Sequence, residues 1–331
     1  MLFSWFKRKP TPSLTLHSGQ YQHYTGSFYR GNYVWSGAMN LCWAELCGSV
    51  MNGPLTLRTD DPAALRMVEA FNHPVCTTTD LDAPSYYVKA GFGPQTVAEV
   101  NRESRARFPE KSFPDLRISL GEHDILSYAY FYKKVAYVQP FSRCNMRFEG
   151  AEVAGFEAMK DQKKVVEVLW YEHDDRFIIR LKLKDPADEL WLAKGFDMQH
   201  PEALLRQLTT LNDPDSSTLS DTDYFKMPLL SLQCKREYPE LTGKPIGNEG
   251  FEQYLIGMMF ENIAFELDEV GAKVESQAVI SVERAAAGPS QKRRYFYLDK
   301  PFWVMMKRSD AARPFFLLGV NNTEIMQTIS I

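Results

Sequence analysis

The sequence from Asp268 to Ser281 reads DEVGAKVESQAVIS, and its pattern is the strongest indication of the fold. From Ala272 onward every second residue is small or apolar, and the residues between are mostly polar. The small or apolar positions are Ala272, Val274, Ser276, Ala278, Ile280 and Val282. A period of two predicts a β-strand with one face suited to burial.

The segment after this strand pattern has no period of its own. It runs from Arg284 to Arg294 and reads RAAAGPSQKRR, a mixture of small, polar and basic residues that predicts an exposed loop. A second strand pattern follows in Tyr295–Arg308, where Pro301 is expected near the start of a strand.

This arrangement resembles the C-terminal part of the serpins. Glu269-Val-Gly271 matches the hinge before the reactive loop of that family, and Asp299-Lys-Pro-Phe302 matches the segment after the loop. A closing hairpin is expected from Trp303–Lys307 and Phe315–Val320, ending in Gly319-Val-Asn-Asn322. The resemblance implies a serpin-like α+β fold, in which helices pack on a large mixed β-sheet and a reactive-type loop is exposed.

The resemblance covers residues 116–331, about two-thirds of the chain, and this part is expected to be rich in strands. Residues 1–115 form a divergent, more helical part. No linker separates the two parts, so residues 1–331 are predicted to be a single serpin-like domain. The serpins have a tryptophan before a Pro-Phe pair, and this chain has none there. Either Tyr137 or Val138 stands near its place.

Helix signals are clearest in the first third of the chain. A buried helix is predicted after Ser36, with Ser36 as N-cap and Gly48 as the stop, although the family has Ser-Pro where this chain has Ser36-Gly37. Asp60 or Asp61 is expected to cap a second helix, with Pro62 in its first turn. A third helix is predicted over 96–108.

The composition is that of a soluble globular protein, with 331 residues, 44% hydrophobic and 24% charged. A net charge of −4 predicts no nucleic-acid partner, and no apolar run is long enough to span a membrane. The N-terminus lacks the pattern of a secretory signal. Five cysteines are an odd number, so we expect free thiols in a cytoplasmic, monomeric protein; they are Cys42, Cys47, Cys76, Cys144 and Cys234.

Residues that could carry catalysis or bind a metal form no recognisable set. The six histidines lack metal-ligand spacing, and there is no Gly-x-Ser-x-Gly or phosphate-binding glycine pattern. His173-Asp-Asp175 could be a base beside carboxylates, but its place between two alternating patterns favours a solvated hairpin turn. We therefore expect no enzyme activity, no cofactor and no metal site.

The serpin resemblance implies a protease inhibitor with a loop that mimics a substrate. In that mechanism a serine or cysteine protease cuts the loop, and the freed strand inserts into the sheet. The alternating segment 272–282 suits insertion, because its inward residues are small or apolar and it contains no proline. The resemblance assigns the hinge to Glu269, Gly271, Ala272 and Val274.

The reactive bond has more than one candidate. Counting forward from Gly271 places it at Ala285-Ala286, whereas counting back from Pro301 places it near Ser290. An exposed basic loop further along would offer sites to trypsin-like proteases; it comprises Lys292, Arg293 and Arg294.

Two alternatives to inhibition stay open at this point. Residues 273–277, KVESQ, are larger and more charged than the alanine-rich run of inhibitory family members, so insertion should be slow. A slow inhibitor is hydrolysed as a substrate, which favours a non-inhibitory serpin-like binding or interaction protein. The segment could also be an ordinary amphipathic edge strand followed by a basic hairpin loop.

Overall fold

The computed structural model describes residues 24–109, 115–211, 216–271, 293–311 and 313–328. Its α-helices are α1 (Ala38–Leu46), α2 (Pro62–Asn72), α3 (Gly93–Arg107) and α4 (Glu202–Thr209). The strands of the first half are β1 (Ser27–Tyr29), β2 (Asn32–Ser36), β3 (Tyr86–Phe92), β4 (Ile125–Phe131), β5 (Ser142–Phe148), β6 (Ala151–Glu157) and β7 (Val166–His173). Those that follow are β8 (Arg176–Leu181), β9 (Asp188–Lys194), β10 (Ser217–Thr218), β11 (Tyr224–Pro228), β12 (Leu230–Glu237), β13 (Phe260–Leu267), β14 (Tyr295–Tyr297), β15 (Phe302–Arg308) and β16 (Pro314–Val320).

The largest sheet has the strand order β1-β2-β16-β15-β9-β8-β7-β10. Its central hairpin, β15 and β16, is the closing hairpin that the sequence predicts, and every residue of β16 is buried. Strands buried on both faces read as continuous apolar runs, which explains why FFLLGV shows no alternation. The solvent-facing turn between β7 and β8 also lies where the alternating pattern places it.

The sheets differ from the prediction in one respect, which is the direction of their strands. All neighbouring pairs of the large sheet are antiparallel, so this sheet is not mixed. The parallel pair is β11 with β14, in a four-stranded sheet of order β14-β11-β6-β5. Parallel neighbours need a long crossover connection, and the chain supplies one here because Pro228 and Tyr295 are far apart in sequence.

Two further sheets have two strands each, β3 with β4 and β12 with β13. Each of β4 and β13 therefore has one edge without a strand partner among the described residues. The segments that follow β4 and β13 meet in a β-bridge between Ala136 and Gly271. Both strands pack on the large sheet, with the Phe131 ring 5.1 Å from that of Phe315 and the Phe265 ring stacked 4.7 Å from that of Phe316.

The first helix differs from its predicted boundaries. Ser36 ends β2, and the N-cap position of α1 is Gly37. Gly48 does not stop the helix, because a π-helical turn continues over Cys47–Met51 and Asn52 ends it with φ 53°. The second helix confirms Asp61 as its cap, since the carboxylate accepts the Ala63 N–H at 2.9 Å.

A buried carboxylate connects β13 with the end of β2. Glu261 accepts hydrogen bonds from the Ser36 hydroxyl at 2.8 Å and the Tyr238 hydroxyl at 2.7 Å, and its carboxylate lies 3.5 Å from the Arg236 guanidinium. Burial raises the pKa of Glu261, which shows how costly it is to desolvate this group. The cluster links three segments that are far apart in sequence, because only together do their polar groups satisfy one another.

We predict that Glu261→Ala lowers the free energy of unfolding by about 3–5 kcal/mol, because it leaves the buried Arg236 without its carboxylate. Glu261→Gln should cost clearly less, since the amide oxygen still accepts from Ser36 and Tyr238. Chemical denaturation measures both. The control is Glu266→Ala on the exposed face of β13, expected within about 0.5 kcal/mol of wild type. Equal costs for Glu261→Ala and Glu266→Ala would refute a structural role for the cluster.

Candidate functional site

The predicted loop lies between two described segments that hold its ends. Residues 272–292 are outside the described residues, and with them the predicted sites Ala272, Val274, Ala285, Ala286 and Lys292. The flanks Glu269–Gly271 and Arg293–Tyr295 are described. We call them the N-terminal and C-terminal anchors of the loop.

The N-terminal anchor is a turn stitched to a neighbouring segment by backbone hydrogen bonds. Asp268 begins the turn, and its carboxylate accepts the N–H groups of Val270 at 2.9 Å and Gly271 at 3.1 Å. The Tyr137 N–H donates to the Val270 carbonyl at 3.2 Å, and the Phe141 N–H donates to the Glu269 carbonyl at 2.8 Å. Backbone pairing fixes the direction in which the chain leaves β13.

The Glu269 side chain adds an ion pair to this anchor. Its Oε1 accepts from Arg143 Nε at 2.6 Å, while Oε2 is buried and has no partner among the described residues. The Arg143 guanidinium is largely exposed, so water screens the pair and its net contribution is small, of the order of 1 kcal/mol. The backbone contacts therefore hold the anchor, and the ion pair selects the orientation of Glu269.

Gly271 is required at its position for two reasons. Its φ of +116° is rarely adopted by residues with a side chain. A Cβ at this position would lie 2.5 Å from the Ala136 Cα and 2.6 Å from the Val135 carbonyl oxygen, both of them backbone atoms that cannot move aside easily. The glycine thus permits the close approach between the end of the β13 segment and residues 135–137, which follow β4.

The position beneath the anchor is filled by Tyr137. Its side chain is fully buried and packs against Phe141 with ring centroids 4.9 Å apart, whereas Val138 is 47% exposed. Tyr137 is therefore the residue that takes the buried place for which the sequence left two candidates. Alternation decides this, because neighbouring residues of an extended segment point to opposite sides.

The C-terminal anchor depends on a two-point ion pair. Arg294 donates to both carboxylate oxygens of Asp223, at 3.0 and 2.7 Å, and its guanidinium lies over the rings of Tyr171 and Phe296. Burial of Asp223 opposes its ionisation, but the hydrogen bonds from Arg294 and Ser220 still hold the pKa of the carboxyl below its ordinary value. Two-point pairing fixes both the position and the orientation of Arg294.

Arg294 consequently differs from the predicted exposed basic loop, while Arg293 is exposed as expected. The Arg294 side chain is half-buried and engaged with Asp223, so it is not free to enter the specificity pocket of a protease. Sequence reasoning missed this because Asp223 lies 71 residues away in a polar segment that gives no signal of its partner.

The turn between β7 and β8 also supports the C-terminal anchor. Asp174 accepts the Tyr295 N–H at 3.0 Å, and Asp175 pairs with Lys194 and Lys300, each at 2.8 Å. The hydrogen bonds from Lys194 and Lys300 lower the pKa of Asp175 to about 2. The turn is solvent-facing as predicted, but its carboxylates position the strand that follows the loop, a role that no local pattern indicates.

The chain resembles known proteins in its fold and not in its sequence. No protein-family model matches the chain, and no curated protein matches it in sequence. Among solved structures, human glycosylated kallistatin superposes with a TM-score of 0.50 at 15% identity, covering 87% of this chain and 91% of that one. Thyroxine-binding globulin in complex with thyroxine gives 0.52 at 11% identity, with 88% and 92% covered. Both are serpin-fold proteins.

The fold is serpin-like. The α+β class and the likeness to serpins that the sequence predicts are thereby confirmed, although at these identities the likeness concerns the fold alone. In this serpin-like chain the two anchors flank the predicted loop, and among the described residues β4 and β13 each have one edge without a strand partner.

Within the described residues, no helix combines the length and apolarity needed to cross a membrane. In the same residues no group of His, Cys, Asp and Glu is arranged to hold a metal ion. The cysteines are free thiols, and burial raises the pKa of Cys42, Cys144 and Cys234 to about 11, which disfavours the thiolate that a nucleophile requires.

We predict that Gly271→Ala destabilises the protein by about 2–4 kcal/mol, because the new methyl group adds a backbone clash to the strain of a positive φ. The matched control is Gly243→Ala. Gly243 has φ +80°, but a Cβ there would meet no atom within 4 Å, so only the conformational strain of about 1–2 kcal/mol is expected. Thermal and chemical unfolding measure the difference, and equal losses would mean that the contact with Ala136 is unimportant.

We predict that trypsin cuts the wild-type loop after Lys292 or Arg293 and spares Arg294, which Asp223 holds. Asp223→Ala should add a cut after Arg294, detectable by mass spectrometry of limited digests. Asp221→Ala, which removes an exposed carboxylate from the same segment, should leave the digestion pattern unchanged. Early cleavage after Arg294 in the wild type would contradict a fixed C-terminal anchor.

Proposed function

We propose that the chain inhibits serine or cysteine proteases through a substrate-mimicking loop within residues 272–292. One observation supports this most: the loop joins two held ends, and the strand on its N-terminal side has an edge without a partner among the described residues. Insertion of a cut loop into a sheet is the established mechanism of inhibitory serpins. Such a step needs an attachment point and an edge without a partner, and within the described residues β13 offers both.

Cleavage would separate the loop into two unequal halves. The C-terminal half remains attached to the protein, because Arg294 is bound to Asp223 and the Tyr295 N–H is bound to Asp174. The N-terminal half stays on β13 through the turn at Asp268 and carries the acylated protease at its new end. Insertion requires this half to turn at Gly271 and to extend the sheet beside β13.

The energy available for this step can be estimated from burial. Six inward side chains, from Ala272 to Val282, contribute very roughly 1–2 kcal/mol each when they leave water, or about 10 kcal/mol together. This is comparable to the stability of a whole domain. It is sufficient to make insertion irreversible, provided that insertion is faster than hydrolysis of the acyl-enzyme.

A second candidate function is a non-inhibitory binding protein with the same fold. The residues after the hinge favour it, because Lys273 and Glu275 must be placed beside a packed sheet and slow the insertion. A second observation is an open cleft of about 510 Å³ at the surface. It is lined by Phe28, Gly31, Asp197, Met198, Gln199 and Asn321. One of the compared proteins is itself in complex with a small molecule, thyroxine.

We further propose a cytoplasmic location, on the odd number of cysteines. The partner on this proposal is an intracellular serine or cysteine protease. Nucleic acid is not proposed as a partner, because the net charge is −4.

The test combines a gel and a melting curve. An inhibitor is expected to give a denaturant-stable complex with an elastase-like or a trypsin-like protease, and its cut form should melt well above the intact form because the inserted strand is newly buried. Ala272→Arg should abolish the rise, since a buried unpaired charge costs several kcal/mol. The control is Gln277→Arg at a predicted outward position, which should keep the rise.

Two results would decide against inhibition. Clean cleavage of the loop without a complex, together with an unchanged or lower melting temperature, leaves the binding protein as the better candidate. A first cut outside residues 272–293 would show that this segment is not the exposed loop.

A further inference from the structure

A group of tyrosines lies on the four-stranded sheet directly after the C-terminal anchor. Tyr224 of β11 pairs with Tyr295 of β14, and Lys226 pairs with Tyr297, so these four side chains share one face of the sheet. The alternate residues Phe225 and Phe296 are buried on the opposite face. We call Tyr224, Tyr295 and Tyr297, together with Lys163 and Lys226, the tyrosine face.

The rings of this face are ordered by contacts with each other. Tyr224 and Tyr295 are stacked, with centroids 5.4 Å apart and planes 11° from parallel, and Tyr297 meets Tyr295 edge-on at 5.5 Å. Lys163 lies 5.3 Å from the centre of the Tyr224 ring and Lys226 lies 5.9 Å from that of Tyr297. Rings held in this way lose little conformational freedom on binding a partner.

The face is also open to solvent. Tyr224 is 38% exposed, Tyr295 and Tyr297 are half-buried, and none of the three hydroxyls bonds to another described residue. Tyrosines with an apolar body and a free hydroxyl are enriched where proteins bind one another. Glu157 pairs with Lys226, Asp223 pairs with Arg294, and Lys163 lies near the Asp221 carboxylate, so the net positive charge beside the rings comes from the exposed Arg293.

The position of the face indicates its partner. From Lys292 to Tyr295 the chain can span at most about 11 Å, so a protein that binds the loop at Lys292 or Arg293 lies within reach of Tyr295 and its neighbouring rings. From the bond Ala285-Ala286 the span is up to about 35 Å, and no contact is required. The face is therefore continuous with the loop at its basic end and not at its alanine end.

We propose that the tyrosine face is a second contact surface for a trypsin-like protease bound to the basic end of the loop, and that it selects proteases with an acidic surface beside the active-site cleft. The proposal rests on the proposed function, because it takes the loop as the primary contact. Charge complementarity next to the cleft raises the association rate, and the rings add apolar contact that the loop alone lacks.

The experiment compares anionic and cationic trypsin, which share a cleavage specificity and differ in surface charge. We expect anionic trypsin to cut the folded chain at Lys292 or Arg293 with kcat/KM about five- to tenfold higher than cationic trypsin, at low salt. The preference should fall as salt rises. A synthetic peptide of residues 286–298 should show none of it, because it has the cleavage site without the face.

Variants of the face should remove the preference. The double variant Tyr224→Ala/Tyr297→Ala tests the rings, and Lys163→Glu tests the charge without removing a ring. Met258→Ala, a 62% exposed residue in another region, is the control and should keep the wild-type ratio. Melting temperatures confirm that each variant is folded, and Lys163→Glu keeps the test decisive if the double variant is not.

Two outcomes would overturn the proposal: equal rates for the two trypsins on the folded chain, or a preference that survives both sets of variants. Either outcome can occur whether or not a covalent complex forms. Failure of the tyrosine face is thus distinguishable from failure of the inhibitory function, which the gel and the melting curve decide.

Discussion

The close approach between Gly271 and the backbone of Ala136 is the constraint on which the arrangement of the loop depends. It joins the two-stranded sheets β3-β4 and β12-β13 at one end, and it fixes where the loop begins. Because no side chain fits between the two backbones, the contact needs a glycine at position 271. Tyr137 fills the space beneath, so the segment that receives the glycine is itself anchored in the core.

The two anchors of the loop use different physics. The N-terminal anchor consists mainly of backbone hydrogen bonds and a turn closed by Asp268, which fix the direction of the chain up to Gly271. The C-terminal anchor consists of the half-buried ion pair of Arg294 with Asp223 and of the more exposed turn carboxylates, which bind Tyr295 and Lys300. On the proposed function, the first side would act as the hinge and the second would stay in place.

Whether this architecture inhibits a protease depends on a competition of rates. The hydrophobic gain of insertion is available at equilibrium in any chain with small inward residues, but the protease hydrolyses its acyl-enzyme meanwhile. Lys273 and Glu275 lie in the first part of the segment to enter the sheet, where large and charged side chains slow the insertion. The same fold can therefore serve inhibition or simple binding, and side chains at a few positions decide between them.

The sequence by itself determined the local elements of this protein. A period of two predicts the hairpin of β7 and β8, and the serpin resemblance predicts the closing hairpin of β15 and β16. Asp61-Pro62 marks the start of α2, and the order of motifs from Glu269 to Phe302 indicates the serpin-like fold. These features depend on residues close in the chain, whose periodicity and capping are readable without knowledge of the neighbours.

Only the tertiary structure decided how these elements meet. Asp223 and Arg294 are 71 residues apart, Asp174 and Tyr295 are 121 apart, and Ser36 and Glu261 are 225 apart. The parallel pairing of β11 with β14, and with it the tyrosine face, likewise follows from the path of the chain between them. Side-chain pairs of this kind gain their energy from mutual burial and desolvation, which depend on the whole fold and leave no periodic signal in the sequence.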